Sequence, residues 1–281
     1  MHAGLLMLSV SLLLSACAGP DSVREPAAAT PEPAWAPVVA ESDASKDVLI
    51  VVEAEDAKVE ERASLPARIV DVGWRPDPVI PSAVRFGSGD LRLLLLGVIH
   101  GNEDELDPSF LDAWLREAPL GASDIAEIAY VPVVNPSGAR HGSRYNSRGV
   151  DVNRNFPASN FRPSVRNGRA PLSEPESRAI ARLIESFDPD VIVAFHSTRS
   201  GPFVNFDGPA ETEAIAFAEA AQRTDARWRV VPNYTNPPGS LGSWAGLDIG
   251  IPVLTIEFDR GQDHESAAAA AVAGIIALIR E

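Results

Sequence analysis

One cysteine in 281 residues, Cys17, leaves the chain no intrachain disulfide, whatever compartment it occupies. Basic residues are scarce. Against 39 Asp and Glu there are only 24 Lys and Arg, a formal net charge of −15, and that sign argues against nucleic acid as a partner. A long apolar stretch is missing too: the N-terminal run at residues 5–14 is too short to cross a bilayer as a mature helix. What remains is 45% hydrophobic, with 24 prolines and 20 glycines. That composition supports one core of ordinary domain size with much irregular chain between its elements.

Residues 1–16 read as a secretory signal, although only His2 precedes the apolar run. They end in Leu14-Ser15-Ala16-Cys17, which resembles the lipobox of bacterial lipoproteins. The resemblance implies that Cys17 is lipidated and becomes the first residue of a lipoprotein. Such a protein is anchored to a membrane of the bacterial cell envelope and faces the periplasm. Residues 17–64 then form an acidic tether rich in Pro and Ala, with eleven acids against four bases between positions 18 and 62. Such a segment cannot bury enough apolar area to offset its chain entropy, and only Val48-Leu49-Ile50-Val51-Val52 could pair as a strand.

The folded domain is expected over residues 65–281. Strands are predicted at 79–86 and 91–99, joined as a hairpin by Gly87-Ser88-Gly89-Asp90, and again at 125–134, 191–195 and 252–258. Asp107 can cap a helix that has Pro108 in its first position and runs to Glu117. Ser173-Glu174-Pro175-Glu176 reads as a capping box opening a helix to Phe187. Further helices are predicted at 209–223 and 264–280. Strands alternating with helices indicate an α/β layered sheet, whose sites lie beyond the strand C-termini.

Two apolar strands end there in histidine. Leu93-Leu94-Leu95-Leu96-Gly97-Val98-Ile99 leads to His100, with Glu103 three residues on, and 191–195 leads to His196. His-x-x-Glu alone is a common surface turn, and a lone strand-end histidine is more often structural. Together, His100, Glu103 and His196 supply three protein ligands with an open fourth position. Glu257 places a carboxylate inside the apolar strand Thr255-Ile256-Glu257-Phe258, costly unless it is paired, functional or outward-facing. Seven arginines crowd the stretch from 140 to 169, which suits a pocket for carboxylates, although most must lie at its rim or on the surface.

His100-x-x-Glu103, Asn135-Pro-Ser-Gly138, Asp151-Val-Asn-Arg-Asn-Phe156, His196-Ser197 and Glu257 occur in the order found in the zinc carboxypeptidase (carboxypeptidase A-like) family, which the chain therefore resembles. Residues 204–210 and 238–246 look like its murein peptide amidase A branch. The His2Glu set is the established ligand set of carboxypeptidase A. The resemblance implies a three-layer α/β/α fold with a mixed, largely parallel sheet and one Zn2+ per chain, held by His100, Glu103 and His196. It implies Glu257 as general base for a zinc-activated water and Arg144 as the group that polarises the scissile carbonyl. Asn153 and Arg154 match the pair that holds the substrate's terminal carboxylate, and Tyr234 is a weaker match to the substrate-capping tyrosine.

The implied reaction is hydrolysis of murein-derived or other short peptides, between γ-D-glutamate and meso-diaminopimelate. Three alternatives stay open. One is a general metallocarboxypeptidase. Another is an N-acyl amino acid deacylase of the succinylglutamate desuccinylase/aspartoacylase type, which shares the zinc set and an Asp-x-Asn-Arg motif. The last is a murein-binding lipoprotein on an inactive peptidase fold.

Overall fold

The structure is a computed structural model that describes residues 68–71, 81–117 and 124–280. Cys17, the signal, the acidic tether and the possible strand at 48–52 lie outside the described residues. Among those described, no helix is long and apolar enough to cross a membrane.

Among the described residues seven strands make one sheet: β1 (Arg68–Asp71), β2 (Ser82–Gly87), β3 (Leu91–Leu96), β4 (Ala126–Val131), β5 (Val191–Thr198), β6 (Phe203–Asp207) and β7 (Val253–Asp259). Their order is β1-β2-β4-β3-β5-β7-β6. The inner strands β4, β3, β5 and β7 run parallel, while β1 and β2 add antiparallel at one edge and β6 at the other. The sheet is thus mixed with a parallel centre, as the family resemblance implies. In β3 the leucines alternate: Leu93 and Leu95 enter one core, Leu94 and Leu96 the other. A strand buried on both faces requires that unbroken apolar run.

The helices are α1 (Pro108–Glu117), α2 (Pro136–His141), α3 (Pro175–Phe187), α4 (Glu211–Ala221) and α5 (His264–Arg280), with a 3-10 turn (Val152–Arg154) and a π-helix (Gly242–Ile249). On one face Leu111, Phe217 and Ile275 of α1, α4 and α5 pack with Leu93 and Leu95. On the other, Ile180 and Leu183 of α3 and Ala245 of the π-helix pack with Leu94 and Leu96. The result is three layers, α/β/α.

Several local expectations are corrected. The hairpin between β2 and β3 does not form, because β4 lies between them and pairs with both. β3 stops at Leu96 rather than at residue 99, since Val98 turns the chain with φ at +41°, a strained value for a β-branched residue. β4 ends at Val131, and Asn135-Pro-Ser-Gly138 opens α2, with Asn135 Oδ1 accepting from Gly138 N at 2.8 Å. The capping box at Ser173 is not made. Asn155 Oδ1 accepts from Glu174 N at 3.0 Å and Ser177 Oγ at 2.6 Å instead, while the Glu174 and Glu176 carboxylates turn to Asn146 Nδ2 at 2.9 and 3.1 Å. Neither β6 nor the π-helix is visible from local sequence signals.

Candidate active site

The site stands at the C-terminal end of the parallel strands, on the face covered by α3 and the π-helix. His100 and Glu103 share one turn after β3, closed by a bond from Glu103 N to His100 O at 3.0 Å. Gly101 is required there, because a Cβ would run into the backbone of Gly138 and Ala139 in α2. His196 lies within β5, directly beside Glu257 of β7 in the parallel register. Adjacent partners in neighbouring strands share a face, so both point into one cavity of about 230 Å3.

Three donor atoms meet at its floor. His196 Nδ1 lies 2.7 Å from Glu103 Oε2, His100 Nδ1 lies 2.9 Å from the same oxygen, and the two Nδ1 atoms are 3.1 Å apart. Donors about 2 Å from a shared zinc stand roughly 3.4 Å from one another, so this buried triangle fits a dication after a small opening. The other nitrogen of His100, Nε2, faces Asp151 Oδ1 at 3.0 Å. That bond draws the ring proton to Nε2 and leaves Nδ1 with its lone pair free for a cation.

Charge is dense and matched. Burial opposes the Glu103 carboxylate, yet the two imidazoles outweigh it and hold the group well below the usual carboxylate range. Its Oε1 accepts from Arg144 Nη1 and from Arg260 Nη2, each at 3.3 Å. Burial likewise disfavours charge on Asp151, but His100 and Arg144 hold it low; Arg144 Nε donates to Asp151 Oδ2 at 2.9 Å. Burial also lowers the pKa of His100, and its two carboxylate neighbours more than reverse that.

The remaining predicted residues gather in the same cavity. Arg144, Asn153, Arg154, Tyr234 and Glu257 all line it. Asn153 is fixed by its Oδ1, which accepts from Leu241 N at 2.9 Å, and Arg154 Nη1 donates to Asn153 O at 2.7 Å. Tyr234 forms part of the wall, its ring edge-on to Phe203 at 4.7 Å and its hydroxyl 3.4 Å from Ser200 Oγ. Glu257 is raised above its ordinary 4.5, first by burial and then by Glu103, against the opposing charge of His196. Of the seven clustered arginines only Arg144 and Arg154 line the cavity, and Arg166 stacks over Tyr145 at 4.2 Å instead.

The succinylglutamate desuccinylase/aspartoacylase catalytic domain family matches residues 90–279. Murein peptide amidase A of Escherichia coli (strain K12) is 33% identical over 201 residues, covering 66% of this chain and 75% of that protein. The chain belongs to the succinylglutamate desuccinylase/aspartoacylase catalytic domain family and is a relative of murein peptide amidase A. It is a hydrolase. The enzyme of the same name from Vibrio campbellii (strain ATCC BAA-1116) is 26% identical over 191 residues, covering 59% and 68%. The crystal structure of murein-tripeptide amidase MpaA from E. coli O157 superposes with a TM-score of 0.56 at 26% identity, covering 76% of this chain and 94% of that one. Carboxypeptidase A from Helicoverpa armigera, at 18% identity and a TM-score of 0.61, covering 76% and 69%, shows the same fold. The family that spans the domain bears the name of the deacylase class.

Two site residues escape sequence reasoning. Asp151 opens the Asp-Val-Asn-Arg-Asn motif, but nothing local says that it turns inward to His100. Arg260 lies three residues past Glu257, and only the fold brings it to Glu103 and to Ser197 O at 3.1 Å.

Proposed function

We propose that this chain is a zinc-dependent amidase of murein-type peptides, cleaving the bond between γ-D-glutamate and meso-diaminopimelate. One observation carries the reading: His100, Glu103 and His196 converge on a single point beside Glu257 in a polar cavity that also holds Arg144 and Arg154. A zinc ion held by those three would act as Lewis acid on the scissile carbonyl and acidify a water molecule there.

The chain's own groups supply the rest. Glu257 accepts the proton of the attacking water on its carboxylate and delivers it to the leaving amine. Its raised pKa suits both halves of that shuttle. Arg144 is braced by Asp151 and Glu103 through Nε and Nη1, which leaves Nη2 to stabilise the developing oxyanion. Asn153 and Arg154 grip the terminal carboxylate of the substrate, so the scissile amide is placed by its neighbour on the leaving side. The relatives named murein peptide amidase support peptides over N-acyl amino acids as substrates.

Mass spectrometry of products tests this. The zinc-loaded chain is incubated with L-Ala-γ-D-Glu-meso-diaminopimelate, beside N-succinylglutamate and an ordinary peptide ending in L-Phe. Release of free diaminopimelate, absent with Glu257→Gln, is the expected result. Turnover of N-succinylglutamate alone would move the chain to the deacylases, and release of Phe alone to the general carboxypeptidases.

A further inference from the structure

Five of the seven arginines between positions 140 and 169 lie outside the catalytic cavity, and the chemistry above has no use for them. From residue 140 to residue 173 the only acid is Asp151, which is buried against His100 and Arg144. One stretch of a strongly acidic chain is therefore basic on its outside.

A second cavity, of about 740 Å3, opens in this stretch. Arg148 and Val150 form one side of it, and Pro163, Val165 and Arg169 the other. It shares no lining residue with the catalytic cavity. The two are joined at the backbone, where Asp151 N donates to Arg166 O at 2.8 Å. Arg162 and Arg166 flank Pro163 and Val165 along the chain. The one carboxylate of the groove, Glu174, is already engaged. It is buried, accepts from Asn146 Nδ2 at 2.9 Å and Ser173 Oγ at 2.8 Å, and meets Arg148 only at 3.9 Å.

The outer wall is pre-formed. Ser164 Oγ accepts from Arg166 N at 3.2 Å and Asn167 N at 3.0 Å, and Ser164 N donates to Gly168 O at 3.1 Å. Asn155, two residues after Asn153, ties this turn inward by donating from Nδ2 to Asn167 O at 2.7 Å. A braced turn has little freedom left to lose on binding, so it presents its side chains ready for a ligand. Val165 stands on it at 87% exposure, apolar and uncovered. Arg162 and Arg169 are exposed and, among the described residues, enter no salt bridge. Like charges held together repel. A ligand bearing carboxylates removes that repulsion, while its apolar parts cover Val150, Pro163 and Val165.

We propose that this groove is an accessory site for polymeric murein, which holds by its carboxylates a stem peptide other than the one being cleaved. The inference rests on the murein reading of the catalytic cavity. Stem peptides carry the fitting chemistry, since carboxylates alternate along them with alanine methyl groups. Neighbouring stems hang from one glycan strand, so holding one raises the local concentration of the next at the catalytic cavity.

The test compares the full zinc-loaded chain with a triple variant, Arg148→Gln, Arg162→Gln and Arg169→Gln, at three positions outside the catalytic cavity. On free L-Ala-γ-D-Glu-meso-diaminopimelate the two are expected to have equal kcat/KM. On soluble glycan strands bearing the same tripeptide stems, the variant is expected to lose about 10-fold, through KM, as three exposed charge contacts would give. Raising the salt concentration should shrink the wild-type advantage on strands. An equal loss on both substrates, or no loss on either, overturns the accessory site.

Sedimentation with purified murein sacculi separates binding from reaction. Both chains then carry Glu257→Gln, so that the sacculi stay intact. Weaker pelleting of the triple variant supports the groove even if neither parent chain cleaves the tripeptide, a result that would sink the amidase reading alone. Equal pelleting overturns it. So does binding to phosphatidylglycerol vesicles that the three substitutions weaken while sacculus binding is unchanged, which would assign the groove to membrane lipid.

Discussion

His100 Nε2 lies 3.0 Å from Asp151 Oδ1, buried from solvent, while Nδ1 of the same ring faces Glu103 and His196. One carboxylate thereby fixes both the tautomer and the direction of a proposed zinc ligand. Asp151→Asn keeps the oxygen that caps Asn153 N but removes the charge behind the imidazole. Zinc affinity is expected to fall about 10- to 100-fold, the usual cost of losing such an outer partner. Competition with a chromophoric chelator measures it, and unchanged affinity would contradict the role assigned to Asp151.

Arg260 restrains the opposite side of the set. Its Nη2 reaches both Glu103 Oε1 at 3.3 Å and Ser197 O at 3.1 Å, so it ties the turn after β3 to β5. Arg260→Met leaves Glu103 Oε1 with Arg144 as its remaining guanidinium partner and strips Ser197 O of this donor. A loss of about 1–3 kcal/mol of stability follows from the removal of hydrogen bonds from a charged donor. Thermal unfolding in excess chelator checks this apart from metal binding, and Arg260→Lys should restore part of the loss.

Much of this centre was legible in the sequence, and the reason is local. His100 and His196 each come after an apolar run that reads as a buried strand, and Glu103 lies within one turn of His100. Glu257 stands out as a charge inside Thr255-Ile256-Glu257-Phe258. Asp151 and Arg260 were not legible, because their partners are distant in sequence and chosen by the fold. The hairpin expected between β2 and β3 fails for the same reason. Gly87-Ser88-Gly89-Asp90 has good turn chemistry, but turn chemistry does not reveal that β4 takes the place between β2 and β3. β6 is five residues long and followed closely by Gly208 and Pro209, too short for its periodicity to register. Asn155 holds the start of α3 through a loop contact, which a capping-box reading of Ser173 does not anticipate.

Stability should carry the signature of Asp207. Burial raises it from 3.8 to about 6, so between those pH values the folded chain keeps a proton that the unfolded chain has released. The unfolded state then binds fewer protons, and stability falls as pH rises through that window. Asp207→Asn removes this contribution. Denaturant unfolding of the two chains from pH 4 to 7 should show the variant gaining on the wild type as pH increases, and parallel curves would show that Asp207 is not perturbed.

Activity should follow Glu257 in the opposite sense. The base works ionised, and its pKa lies above the ordinary 4.5 because burial disfavours the charge. The acid limb of kcat/KM is therefore expected above pH 4.5, with activity rising as pH rises through it. Glu257→Gln should lower kcat by about 10²- to 10⁴-fold and abolish that limb. A variant that keeps wild-type turnover would remove Glu257 from the mechanism.

The lipobox reading of Leu14-Ser15-Ala16-Cys17 has its own check. Cells expressing the full chain and fed a labelled fatty acid should label the wild type and leave Cys17→Ser unlabelled. The variant should also leave the membrane fraction. Equal labelling of both chains would refute a lipid anchor at Cys17.

Metal content is the most direct test of the central claim that His100, Glu103 and His196 form a zinc site. The full chain, equilibrated with zinc and dialysed against metal-free buffer, is measured by plasma emission spectroscopy beside His100→Ala and His196→Ala. One zinc per wild-type chain, with none above background in either variant and unchanged circular dichroism in both, is the predicted result. A wild-type chain that retains no metal, or a variant that retains as much as the wild type, would contradict it.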